Sequence, residues 1–303
     1  MQKTIKYNKM DRIDKIVFGD NQFFGINHMS QEKSQQLSEQ FYDIKNIFKV
    51  YDYAIECGID AIMLNSNQRA PEICEYFRKN QSRYSNLKWY PSIPYPHKYA
   101  NIVAEKGIFP AINELIFSNN TASGVFGMVT KGSTALISKD AIKLMQMLID
   151  LEVRMFKGLD MKVIFLQNIV TDLMLGYGIK EIFEEYCEYV RKKYHVLPGF
   201  ITINLPYCLK KLEEWEIKDV VVCSSINKIG FTMSPNIEAY EDIIIKNDNN
   251  VYQIMAMSTL ASGAIKPKEA YDYINQQNIQ SVVFGASSKL HIEETVKLIN
   301  LDK

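Results

Sequence analysis

Asp20 and His28 lie close together near the start of this 303-residue sequence, and they are its best candidates for proton transfer. An imidazole titrates near neutral pH, and a nearby carboxylate can orient it or act as the base itself. Side-chain amides recur at the ends of later apolar segments. Asn65 and Gln167 join Asp20 and His28 as candidate catalytic residues, and Asn21, Asn67, Tyr95, His97, Asn204 and Asn227 as candidate substrate contacts. Amides both donate and accept, which suits a neutral, polyhydroxylated or amide-bearing ligand. The competing reading is that strand-end Asn and Gln only satisfy turn backbone. A second locus lies near the C-terminus, where Ser281-Val282-Val283-Phe284 runs into Gly285-Ala286-Ser287-Ser288-Lys289. Small residues between a strand and a helix start leave N–H groups exposed, and Lys289 adds positive charge, a combination that seats phosphate.

Other chemistries find less support. No H-E-x-x-H, G-x-S-x-G or P-loop pattern is present, and scattered Asp20, His28 and His97 lack metal-ligand spacing, so no metal is expected. Lys98 is a candidate acid or Schiff-base amine, a role that usually needs an apolar pocket to lower a lysine pKa. His195 and His291, at a helix end and a helix start, read as structural.

Eight strand-like segments must position these residues: Lys15–Asp20, Ala61–Ser66, Lys88–Pro94, Lys162–Asn168, Phe200–Leu205, Val220–Ser225, Val251–Ser258 and Ser281–Ala286. Their cores are continuously apolar, which implies burial on both faces in a parallel sheet. Helical stripes separate them, such as Ile73, Cys74 and Phe77, or Phe183, Tyr186, Cys187 and Val190. Ser234-Pro235 and Pro267 read as helix starts. The alternation predicts an α/β fold, a single (β/α)8 TIM barrel spanning residues 1–303, with a helical insertion at 95–161 between strands three and four. Gly124–Thr130, inside that insertion, reads as helix or loop rather than a ninth strand.

Lys plus Arg equals Asp plus Glu at 35 each, so no net field draws in nucleic acid or an anionic membrane. No apolar run reaches the ~18 residues that span a bilayer. Five cysteines without a C-x-x-C pair read as reduced thiols in a cytoplasmic protein.

Three stretches make the chain resemble the aldo-keto reductase superfamily, NADP-linked oxidoreductases on an eight-fold α/β barrel. They are Cys57–Ile62, Ala256–Gly263 and above all Ser281–Glu294, SVVFGASSKLHIEE. The resemblance implies that Ser258, Leu260 and Gly263 lie near a pyrophosphate. It also implies that Gly285, Ser287, Ser288 and Lys289 lie near a terminal phosphate. The family's catalytic set is altered: Ile62-Met63-Leu64-Asn65 stands in place of its strand-two aspartate motif, no tyrosine follows, strand three lacks its lysine, and Gln167 replaces a histidine. The expectation is an NADP-linked reductase-like enzyme acting on a small polar molecule. Its rivals are a non-redox lyase, isomerase or hydrolase that holds a phosphorylated substrate in the phosphate seat, and a catalytically silent binding subunit.

Overall fold

Strands without polar alternation are buried on both faces only inside a shell of helices. The computed structural model describes residues 12–25, 31–95 and 139–301 and has that arrangement. The strands are β1 (Ile16–Phe18), β2 (Ala61–Asn65), β3 (Lys88–Ile93), β4 (Val163–Leu166), β5 (Leu197–Thr202), β6 (Val220–Ser225), β7 (Tyr252–Met257) and β8 (Ser281–Phe284). Each runs parallel to its neighbours, and β8 returns to β1 with Ile16, Val17 and Phe18 opposite Val282, Val283 and Phe284. The eight strands close a barrel in sequence order. All eight expected strands form, β5 starting earlier than the sequence indicates because Leu197 pairs with Val163.

The described helices are α1 (Gln31–Gln40), α2 (Ile44–Glu56), α3 (Ala70–Lys79), α4 (Lys139–Val153), α5 (Asn168–Tyr177), α6 (Lys180–Tyr189), α7 (Leu205–Glu214), α8 (Ile237–Lys246), α9 (Pro267–Ile274) and α10 (Lys289–Ile299). Among the described residues, α4 lies in the β3–β4 insertion, while Gly124–Thr130 lies outside the described residues. Pro267 opens α9 as expected. Ser234-Pro235 does not open α8. The Ser234 N–H donates instead to Ile203 O (2.9 Å), and α8 starts later, where the Asn236 side chain accepts from Ala239 N at 3.0 Å.

Alternate residues of each strand fill the barrel. Val17, Ala61, Met63, Tyr90, Val163, Phe165, Val221, Cys223, Met255 and Val283 form one interior cluster, while their neighbours pack outward against the helices. Phe165 has room because residue 199 is glycine: a Cβ there would lie 2.4 Å from the ring's Cδ1 and 2.8 Å from Val163 Cγ1. The N-terminal end of the barrel is closed by residues just before β1. Ile13 N donates to Gln253 Oε1 at 2.9 Å, Ser281 Oγ to Asp14 O at 2.6 Å, and Lys162 pairs with the Asp14 carboxylate at 3.1 Å. Polar groups at this end hold the barrel shut, and the opposite, C-terminal end is left for ligands.

Candidate active site at the barrel mouth

Inward-facing positions end at the C-terminal mouth. Two residues beyond the interior Met63, Tyr90, Phe165 and Cys223, the same alternation reaches Asn65, Ser92, Gln167 and Ser225. The top layer on β2, β3, β4 and β6 is therefore polar above an apolar core.

Asp20 organises this layer from outside. β1 leaves the barrel at Gly19, whose N–H donates to Phe284 O, and Asp20 then starts the short 3-10 turn Asn21–Phe24. The Asp20 carboxylate reaches across to β2. Its Oδ2 accepts from the Asn65 backbone N–H at 2.9 Å and from Asn67 Nδ2 at 3.3 Å, and its Oδ1 accepts from Asn65 Nδ2 at 2.5 Å. Asn65 Oδ1 in turn accepts from Gln167 Nε2 at 2.5 Å. One carboxylate and two amides thus form a chain across β1, β2 and β4, and every donor in it points back toward Asp20. Burial pushes the Asp20 carboxyl up to about 7, against the opposing effect of the hydrogen bonds from Asn65 and Asn67. Two phenols face it: Tyr51 from α2, which is fully buried, and Tyr95 after β3. Burial raises the pKa of both, and the Asp20 charge raises each further.

The remaining candidates are distributed unevenly. Asn21 joins the network, its Oδ1 lying 3.4 Å from Asn65 Nδ2. Asn67 divides its amide between Asp20 and the start of α3, where its Oδ1 accepts from Arg69 N and Ala70 N. The Tyr95 N–H donates to Ser66 Oγ at 3.1 Å. The Asn204 side chain caps α7 by accepting from Tyr207 N, and Asn227 closes its own turn through both Phe231 N and Phe231 O. Asn204 thus serves backbone with its Oδ1, and Asn227 with both ends of its amide. His28 and His97 lie outside the described residues, and no metal-binding cluster occurs among the described residues.

The β7–β8 sector adjoins β1 on the same rim. After β7, Ser258, Ala261, Ser262 and Gly263 all adopt left-handed backbone, with φ of 54°, 46°, 60° and 94°. Three of these are not glycine, and such local strain tends to gather at binding sites. Gly263 has open space where a Cβ would stand. After β8, Ser288 caps α10 by accepting from His291 N. Lys289 is already paired, its Nζ 2.7 Å from Glu56 on α2. Gly285 has a role that the sequence does not reveal. A Cβ there would sit 2.0 Å from Gln22 Oε1, so glycine makes room for that amide, whose Nε2 donates to Gly19 O. Replacing Gly285 with Ala should displace the flexible far end of Gln22 and break its bond to Gly19 O, at a cost of about 0.5–1.5 kcal/mol, that of one hydrogen bond. Chemical denaturation checks this, and in a Gln22→Ala background the same change should cost close to nothing.

Sequence reasoning also missed Ser92. Its hydroxyl is buried without a partner among the described residues, on a strand that otherwise reads as apolar and aromatic. A period-two count from Tyr90 finds it. Three isoleucines, Ile169, Ile203 and Ile229, are exposed in the segments that follow β4, β5 and β6.

No protein-family model matches the chain, and no curated protein matches it. Its barrel is nevertheless the one aldo-keto reductases have. A Pseudomonas aeruginosa structure assigned to those enzymes superposes with a TM-score of 0.60 at 10% identity, covering 99% of this chain and 98% of its own. A Bombyx mori aldo-keto reductase in complex with NADP gives 0.54 at 11% identity over 99% and 88%. The holo form of a Bacillus halodurans aldo-keto reductase gives 0.54 at 10% over 95% and 87%. At these identities the likeness is one of fold.

Proposed function

We propose that the chain is a barrel enzyme of the aldo-keto reductase superfamily with an altered catalytic set. It would bind NADP on the loops after β7 and β8 and a small polar substrate over Asn65 and Gln167. The observation that carries this reading is the placement of two dissimilar sectors side by side on one rim. The strained loop at 258–263 follows β7, and the Asp20–Asn65–Gln167 chain begins just past the end of β1, β8 lying between and pairing with both strands.

The residues present fit a dinucleotide in part. Ser258, Leu260 and Gly263 would hold a pyrophosphate, and Ser287, Ser288 and Lys289 a terminal phosphate, while Gly285 is taken up by Gln22. Bound nicotinamide would supply hydride chemistry. The chain's own contribution is to orient the substrate's polar group with Asn65 and Gln167, to stiffen that pair through Asp20, and to shield one side of the mouth with Ile169, Ile203 and Ile229. All five cysteines are unpaired, which supports a reducing, cytoplasmic setting.

Fluorescence titration with NADPH tests the reading; no binding at millimolar concentration removes it. Protection by inorganic phosphate or a sugar phosphate alone would favour the non-redox alternative. The Lys289–Glu56 pair adds a sharper test. Glu56→Gln frees the Lys289 cation and should tighten NADPH by roughly 2- to 5-fold, the scale of an exposed ion pair, while leaving NADH unchanged. Equal effects on both would place the phosphate elsewhere.

A further inference from the structure

We propose that Asp20 decides which atom of Gln167 faces the ligand, and therefore whether the barrel mouth binds a hydrogen-bond donor or a hydrogen-bond acceptor. The inference rests on the mouth being the substrate site, as proposed above, and not on dinucleotide binding.

The hydrogen-bond chain is directional. An ionised carboxylate only accepts, so Asn65 must turn its Nδ2 toward Asp20 and its Oδ1 toward Gln167. Gln167 must then spend its Nε2 on Asn65, and its Oε1, without a partner among the described residues, is left for the mouth. In this state the site offers an acceptor and suits a ligand hydroxyl or N–H.

A proton on Asp20 reverses the order. It must sit on Oδ1, because Oδ2 already receives the Asn65 backbone N–H and Asn67 Nδ2. An Oδ1–H donates, so Asn65 turns its carbonyl to Asp20 and its amide nitrogen to Gln167 Oε1. Gln167 then presents Nε2 to the mouth, and the site suits a ligand carbonyl. No backbone has to move. Asn21, the remaining contact of Asn65 Nδ2, is exposed and free to follow. Among the described residues, the titratable groups facing Asp20 are the Tyr51 phenol from α2, with the Cys74 thiol of α3 beyond it, and the Tyr95 phenol after β3. Burial raises the pKa of all three, which keeps them neutral as Asp20 titrates. The Asp20 value of about 7 places the reversal within the physiological range. Asp20 is thus a positioning residue that acts through Asn65, and a carbonyl compound and its alcohol prefer opposite states of it.

Asp20→Asn isolates the effect. The amide oxygen must take the Oδ2 position, where two donors converge, so the amide nitrogen faces Asn65 and fixes the reversed chain at every pH. The test is the pH dependence, from 5 to 9, of the Asn65 and Gln167 side-chain ¹⁵N–¹H resonances in the ligand-free full chain. In the wild type both should move together with one midpoint, and in the variant both should stay at the wild-type low-pH positions. Wild-type resonances that do not titrate overturn the proposal without relying on any variant, and so does a variant that rests at the high-pH positions. As a second measurement, cyclohexanone should bind the wild type about tenfold tighter at pH 6 than at pH 8, the ratio of protonated fractions for a midpoint of 7. Equal affinity at the two pH values overturns the proposal. NADPH titration of the same sample reports on the β7–β8 loops alone, so either reading can fail while the other stands.

Discussion

Asp20→Asn should abolish a loss of stability that the wild type suffers as pH rises from about 4 to 7. The folded carboxyl, buried at 2% exposure, keeps its proton up to about pH 7, whereas an exposed chain releases it near 3.8. Across that window the folded state binds more protons than the unfolded state, so stability declines with rising pH. The contribution is fully present below pH 4 and lost as pH passes through 7. About 3 pH units at ~1.36 kcal/mol each amount to about 4 kcal/mol. Chemical denaturation of both proteins from pH 4 to 8 reads this as a wild-type-minus-variant difference that falls by that amount. A difference that stays flat would show that the carboxyl titrates as in an open chain. In that case its buried hydrogen bonds would balance the cost of burying its charge.

Gly199→Ala should cost about 1–3 kcal/mol, and Gly199→Val more, although residue 199 lies inside the barrel below the mouth. An added Cβ would meet Phe165 Cδ1 at 2.4 Å and Cε1 at 2.6 Å, and behind the ring lies Tyr90, stacked with it at 6.4 Å between centroids. Interiors are packed to crystal density, so the ring has no free volume to move into. Phe165→Leu would lose its own burial energy in a wild-type background, but combined with Gly199→Ala it should cost less than the sum of the two. The double-mutant cycle should give a coupling of roughly 1–3 kcal/mol. A cost below ~0.5 kcal/mol for Gly199→Ala alone would mean that the ring yields freely, and the packing account would fail. Since Phe165 lies one inward position below Gln167, the same variants should also disturb the polar layer above.

The barrel was legible because short, continuously apolar runs alternate regularly with longer helical stripes, the pattern of strands buried on both faces. IVF, AIML, VIFL and SVVF have no polar alternation, and each forms a strand where that pattern predicts one. The amide-rich mouth was legible in kind, through Asp20, Asn65 and Gln167, because ligand groups of such barrels come from strand ends. Which amides join the carboxylate and which serve a turn was not legible. Asn204 and Asn227 come at strand ends as Asn65 does, and only the backbone turns beneath them show that Asn204 Oδ1 and both ends of the Asn227 amide bond to backbone. Gly199 and Gly285 escaped for a related reason. A missing Cβ matters only through what occupies its place, here Phe165 and Gln22, which are distant in sequence. The pairing of Lys289 was not legible because its partner Glu56 ends α2, a helix distant in sequence that packs against α10.

The seam between β1 and β8 also bears on synthesis. β1 pairs on one side with β2, which soon follows it, but its other edge waits for Val282, Val283 and Phe284, and Ile13 and Asp14 wait for Gln253 and Ser281. At ~5–20 residues per second, a ribosome needs roughly 15–50 s to deliver that partner after β1 emerges. Throughout that interval the growing chain carries an apolar Ile-Val-Phe edge with unpaired backbone. Variants of the last strand should therefore show their largest effect on the yield of soluble chain during translation, before any effect on the finished fold.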